Sequence, residues 1–312
     1  MHFVPLPAMM SRATFLRLAG ATAAGLLLGG GTPAAAAPAM QRRPIPGSGE
    51  LLPVIGLGTW QSFDAAPGSP EYARLPAVLQ ALFAAGGSVI DSSPMYGRSE
   101  ATTGELLAAA GSRRQAFLAS KVWTRGRPEG QRQIADSARL LGAGVLDLMQ
   151  VHNLVDWRSQ LATLREWQAA GRLRYVGVTH YHAGAYEELA AVLRDERLDF
   201  LQINYSLDER EAERRILPLA AERGLAVLIN RPFGGGGLLR RLRQQQLPAW
   251  AGEIEATSWA QLLLKFVLSQ PAVTCAIPGT SRPEHMADNA AAGFGPIPEA
   301  AFWHRYPELF RL

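Results

Sequence analysis

From about residue 54 onward, short apolar runs alternate with stretches whose apolar positions recur at helical spacing. The strand-like runs fall at 54–60, 88–91, 116–121, 147–151, 173–178, 199–203, 225–229 and 273–277. Most are apolar on both faces, as in Ala226-Val227-Leu228-Ile229, the pattern of a parallel sheet covered on both sides. Helices are expected over 71–86, 99–110, 129–141, 157–170, 183–194, 210–223, 257–268 and 283–292. Strands alternating with amphipathic helices predict an α/β chain. Eight such units in roughly 260 residues predict a (β/α)8 TIM barrel over an open sheet. Ahead of them, Pro44 to Leu52 carries turn chemistry at Gly47 to Gly49 and reads as a small β-hairpin. The longest irregular stretch, 232–252, is expected to overhang the active rim.

Composition adds limits. The 312 residues are 48% hydrophobic and 19% charged, an ordinary core for one large domain over 41–312. A formal charge of +4 without a Lys/Arg block leaves no nucleic-acid footprint. Arg240, Arg241 and Arg243 read as a solvated basic face. The single cysteine, Cys275, sits in an apolar run and reads as a core residue.

Residues 1–40 have a different character. Arg12 and Arg17 precede the small and apolar run Leu18 to Gly31, and Pro33 to Ala39 follow. This is the pattern of an export signal. The apolar run is too short and too rich in Gly and Ala for a membrane span. Ser11-Arg12-Ala13-Thr14-Phe15-Leu16-Arg17 resembles a twin-arginine signal with Ala13 in place of the second arginine. A periplasmic or otherwise exported monomer is the expectation, with no stable membrane span in the mature chain. A cytoplasmic protein with a disordered tail is the alternative.

The chemistry gathers at strand ends. Asp91 closes one apolar run and Tyr96 follows it; Lys121 closes the next run and His152 the one after. In a barrel of parallel strands these ends share one rim. A lysine ammonium stabilises a phenolate and lowers the tyrosine pKa, and a carboxylate holds the lysine charged. A histidine beside them can donate to a carbonyl oxygen. Such a set protonates a carbonyl at oxygen, and a nicotinamide hydride would supply the nucleophile at carbon.

These residues carry a resemblance. Gly58-Thr59-Trp60, Asp91 with Tyr96-Gly97, Ser120-Lys121 and Gln150-Val151-His152 stand in an order and spacing similar to the aldo/keto reductases, from about Leu52 to Asn289. The resemblance implies Tyr96 as general acid, Lys121 and Asp91 as its tuning pair, and His152 as the residue that orients the carbonyl. It also implies a (β/α)8 barrel whose hairpin, at 44–52, closes the far end, and an extended NADPH, with NADH as the alternative nucleotide. Gly58, Thr59 and Trp60 would border that nucleotide. Thr179, His180 and Gln202 fall where the family holds the nicotinamide carboxamide, with His180 in place of an asparagine. Asn230-Arg231-Pro232-Phe233-Gly234 falls on the Tyr-Ser-Pro-Leu-Gly segment, so Asn230 replaces the aromatic that stacks on the ring, and Phe233 is a candidate to cover it. Gly234 to Gly237 could bring backbone amides to a pyrophosphate. Pro278, Gly279, Thr280, Ser281, Arg282, His285 and Asn289 match the adenosine-phosphate segment at a helix N-terminus. NADPH-selective members often carry lysine at the position of Gly279 and arginine at that of His285; Arg282 could substitute for one of them.

Other constellations point elsewhere. His180-Tyr181-His182 places two imidazoles at alternating spacing, but no third ligand is evident and no metal is expected. Trp60, Trp123 and Trp157 fall after strands one, three and four, and Trp60 and Trp123 with Tyr96 and His152 outline an apolar pocket for a small carbonyl substrate. The altered positions His180 and Asn230 keep a second function open: a nicotinamide-binding sensor or regulatory barrel with little turnover.

Overall fold

The structure, a computed structural model, describes residues 39–312; the leader with its expected export signal lies outside them. Residues Arg42–Pro44 (β1) and Leu51–Pro53 (β2) pair antiparallel as the hairpin. Eight parallel strands follow in chain order: Leu57–Gly58 (β3), Val89–Asp91 (β4), Phe117–Val122 (β5), Leu146–His152 (β6), Leu173–Thr179 (β7), Phe200–Asn204 (β8), Ala226–Asn230 (β9) and Val273–Ala276 (β10). The edges meet, so the sheet closes: Gly56 N–H donates to the Ala276 carbonyl at 2.9 Å and Gly58 N–H to that of Pro278 at 3.2 Å. A Cβ on Gly58 would sit 2.8 Å from the Ile277 carbonyl oxygen, so this seam needs a residue without one. The long run expected at 54–60 contributes a two-residue ladder to β4, while Ile55 and Gly58 bridge to Ala276 and Gly279 across the seam.

Strand parity sorts the core. One face of each strand points into the barrel, where Val89, Phe117, Leu148, Tyr175, Phe200 and Leu228 form an interior cluster. The opposite face, including Ile90, Leu118, Met149, Val176, Ile203 and Val227, packs under the helices. Ile45 and Leu52 of the hairpin join the interior cluster and plug the N-terminal end of the barrel. Arg43 anchors that plug by donating to the carbonyls of Leu268, Gln270 and Val273.

The helices are Pro70–Ala84 (α1), Ser99–Ala109 (α2), Arg127–Leu140 (α3), Trp157–Ala169 (α4), Tyr186–Asp195 (α5), Ile216–Glu222 (α6), Gly237–Leu242 (α7), Trp259–Leu268 (α8) and Pro283–Ala291 (α9). Ser69 caps α1 by accepting from the Tyr72 N–H at 3.1 Å, with Pro70 at the first helical position. Three stretches between the strands differ from the sequence expectation. The start of the helix expected at 183–194 is a 3-10 turn at Ala183–Ala185 ahead of α5. The helix expected at 210–223 is a 3-10 turn at Glu211–Arg214 followed by the short α6. The loop expected at 232–252 contains α7 and a 3-10 turn at Ala249–Ile254, because Leu238, Leu242, Ala251 and Ile254 are buried there and bring helical spacing with them.

Candidate active site

Parity also builds the site. Along β5 the inward positions run Phe117, Ala119, Lys121; along β6 they run Leu148, Gln150, His152. The apolar interior thus ends, one layer from the C-terminal rim, in a polar layer. Lys121 Nζ donates to Asp91 Oδ2 at 2.6 Å and to the Ser92 carbonyl at 2.8 Å, with both side chains of the pair buried. Asp91 Oδ1 accepts from Gln202 Nε2 at 2.8 Å and from Gln150 Nε2 at 3.3 Å. Each charge therefore meets either its opposite or a fixed dipole, as burial demands.

Tyr96 lies over this pair, its ring centroid 4.9 Å from Lys121 Nζ. Burial raises its pKa, Lys121 pulls it back, and the net direction is upward. That is opposite to the direction expected from the lysine alone, because the sequence does not report how dry the phenol is. Tyr96 consequently holds its proton at neutral pH. Desolvation pushes the Lys121 pKa down, but Asp91 and Tyr96 together outweigh it and hold the ammonium above the ordinary lysine range.

His152 meets Tyr96 edge-on, with ring centroids 6.0 Å apart. Burial, reinforced by the Lys121 charge, drives its pKa down to about 2. Its Nδ1 sits 3.1 Å from Ser93 Oγ, which also accepts from the Met95 N–H at 3.4 Å. Ser93 Oγ can donate to Nδ1, and in that tautomer the imidazole proton sits on Nε2 as a donor. The unfolded chain binds a proton at a histidine near pH 6.5 while folded His152 does not, so stability falls as pH drops below that value, by up to about 1.4 kcal/mol per pH unit. His180, held down to about 4 by burial, acts with the same sign. His152→Gln is expected to flatten the acid limb, as checked by urea unfolding at pH 7 and pH 5.

A cavity of about 1200 Å³ opens from this layer and extends along the rim to α9. Asp91, Tyr96 and His152 lie at one end; Gly58, Thr59, Trp60, Thr179, Gln202 and Asn230 border the middle. Arg231, Pro232, Phe233, Pro278 and Gly279 continue it, and Thr280, Arg282, His285 and Asn289 line the far end. Lys121 is sealed beneath the floor. Three of the sequence-selected nucleotide residues, His180, Gly234 and Ser281, do not line the cavity. Gly234, Gly235 and Gly236 all adopt positive φ, a left-handed turn that glycine enters without strain, and the last two face the cavity. Trp123, expected in the substrate pocket, does not line the cavity, although its ring centroid stands 6.5 Å from that of His152. Trp157, by contrast, packs partly buried against the helical core.

The departure at His180 has a structural reason. The residue follows the inward Thr179 beyond the end of β7 and is buried there. The His180 Nδ1 accepts from the Tyr181 N–H at 3.0 Å, and its ring stacks on Tyr181 and meets His182 edge-on. Other residues of the site were not legible beforehand. Asn153 borders the cavity in a left-handed conformation with a buried, unpartnered Oδ1, and Arg243 and Trp259 border the far end. Gln150 and Ser93 carried a weak signal: one shares the face of His152, two residues away, and the other lies between Asp91 and Tyr96.

The sequence profile described as the aldo/keto reductase family matches residues 54–302. The chain belongs to this family. Among curated relatives, methylglyoxal reductase YeaE of Escherichia coli is 30% identical over 261 residues, covering 81% of this chain and 89% of that protein. The NADH-specific methylglyoxal reductase of the same organism is 24% identical, over 81% and 93%. An aldo-keto reductase of Klebsiella pneumoniae solved with NADPH superposes with a TM-score of 0.68 at 28% identity, over 82% of this chain and 90% of that one. Another from that organism, solved with NADP and acetate, superposes at 0.70 and 27% identity, over 84% and 94%. The aldo/keto reductase barrel is therefore present over the residues that build the cavity.

Proposed function

We propose that this aldo/keto reductase is an NADP(H)-dependent enzyme that reduces an aldehyde or ketone to an alcohol, with Tyr96 as the general acid. The observation that carries the reading is a protonated phenol over a buried Lys121–Asp91 pair, beside a neutral histidine, at one end of a long cavity. A bound nicotinamide would supply the hydride to the carbonyl carbon. The residues present fit such a group: the cavity holds an unpartnered buried acceptor at Asn230 beside Gln202, a left-handed glycine turn, and basic side chains at its far end. Thr179, Gln202 and Asn230 would hold the nicotinamide end, Gly235 and Gly236 the pyrophosphate, and Thr280, Arg282, His285 and Asn289 the adenosine phosphate. Arg243 and Arg282 at that end favour NADPH over NADH.

In the reduction, His152 donates from Nε2 to the carbonyl oxygen and fixes its direction. Tyr96 delivers its proton to the same oxygen as negative charge develops. Lys121, held charged by Asp91, stabilises the phenolate left behind. Trp60 (50% exposed), Met95 (39%) and Tyr181 (46%) line the cavity and Trp123 (43%) stands beside His152, exposed apolar surface suited to a carbonyl compound with an apolar body. The two methylglyoxal reductases among the relatives make a small dicarbonyl the first compound to try.

The test is NADPH oxidation by the purified protein with methylglyoxal and with a series of aromatic aldehydes, alongside a nucleotide binding titration. Binding with turnover supports the reading, and absence of binding overturns it. Binding without turnover on any carbonyl supports instead the sensor reading, which the replacement of an aromatic by Asn230 favours. We also propose that residues 1–40 direct export; a reporter fused to them that stays in the cytoplasm overturns this.

A further inference from the structure

We propose that Asn230 reads the nicotinamide carboxamide in this protein, taking the place that His180 leaves empty, and ties it through Gln202 to the Asp91–Lys121 pair. The inference rests on the nicotinamide reading above and specifies how this chain achieves it.

Asn230 ends β9 at an inward position, following Ala226 and Leu228. Its Nδ2 donates to the His180 carbonyl at 3.0 Å and to Gln202 Oε1 at 3.4 Å. Both partners can only accept, so the amide orientation follows from chemistry: Nδ2 faces the protein and Oδ1 is left over. Oδ1 is buried and, among the described residues, has no hydrogen-bond partner, while the residue borders the cavity. A buried acceptor without a donor is unfavourable, and a ligand N–H relieves it. Gln202 does not offer an equivalent acceptor. Its Oε1 already receives Thr179 Oγ1 at 3.1 Å as well as Asn230, and its Nε2 is committed to Asp91. His180 cannot supply one either, since its Nδ1 is engaged by the Tyr181 N–H and its ring lies among Tyr181 and His182.

What remains is one continuous chain of hydrogen bonds: Lys121 to Asp91, Gln202 to Asp91, Asn230 to Gln202, and a free oxygen at the end. A primary carboxamide carries the N–H that this oxygen lacks. Asn230 thereby places a polar contact for the ring's substituent on the network that orients the Asp91–Lys121 pair.

The test compares NADP+ with its 3-acetylpyridine analogue, whose methyl ketone has no N–H, by calorimetric or tryptophan-fluorescence titration of the full protein. Wild type is expected to bind the analogue roughly tenfold or more weakly. Asn230→Ala is expected to weaken NADP+ binding and bring the two affinities together, whereas His180→Ala keeps the gap. Equal affinities in wild type overturn the assignment without any variant, as does a gap that persists in Asn230→Ala. Failure of wild type to bind NADP+ at all is a different result, which overturns the nicotinamide reading itself.

Discussion

Tyr96→Phe is expected to lower the rate of carbonyl reduction about 10²- to 10⁴-fold, the usual worth of a positioned acid, while nucleotide affinity stays within a few-fold of wild type. The phenol is the group beside the site that combines a retained proton with a nearby cation, Lys121 at 4.9 Å from the ring. The substitution keeps the ring, its edge contact with His152 and its burial, so only the proton and its oxygen are removed. The rate is measured as kcat/KM for NADPH oxidation and the affinity by fluorescence titration. Undiminished reduction would show that the acid has been misassigned. His152, neutral down to about pH 2, cannot replace it, because an imidazole with so low a pKa does not carry a spare proton at neutral pH. In wild type the reductive rate should stay level through neutral pH and decline only in the alkaline range where the raised Tyr96 pKa is crossed.

The second large effect concerns the pair beneath that phenol. Lys121→Met leaves Asp91 buried with only the amides of Gln150 and Gln202 for partners, and is expected to cost about 3–5 kcal/mol of stability. Against a typical total of about 5–15 kcal/mol, this endangers the fold. The same substitution removes the positive charge that pulls the Tyr96 pKa down, so the remaining phenol becomes a poorer acid and the rate falls as well. A double variant separates the two effects. Asp91→Asn with Lys121→Met keeps an acceptor for Gln150 and Gln202 and removes both charges, and should recover most of the stability but none of the activity. Urea midpoints for the three proteins, read beside kcat/KM, decide the matter; a stable Lys121→Met chain would show that the pair is not held as tightly as its 2.6 Å separation implies. Since Asp91 and Tyr96 together raise the pKa of Lys121, the stability carried by that shift is complete below the ordinary lysine pKa and is lost as pH rises through the higher folded value.

The route from pattern to site worked where a rule of period two was enough. Asp91, Lys121 and His152 stand at the ends of apolar strands, and parallel strands bring such ends to one rim whatever the helices between them do. The same parity, applied consistently, places Gln202 and Asn230 on inward columns beside Thr179. Gln150 was legible by that argument too, two positions before His152 on the same face.

Other residues follow no such rule. Asn153 enters the cavity only because the chain turns through a left-handed conformation after β6, and Arg243 and Trp259 only because α7 and the segment after it fold over the rim. The amphipathic repeats and strand ends along the chain were sufficient to determine a (β/α)8 barrel, a leading hairpin and the meeting of Asp91, Tyr96, Lys121 and His152, since these depend on local periodicity and on the direction common to all eight strands. Tertiary structure alone decided the direction of the Tyr96 pKa, the exclusion of His180 and the free oxygen of Asn230. Each of these depends on which groups exclude water or complete a hydrogen bond across strands distant in sequence, and a linear pattern carries no record of that.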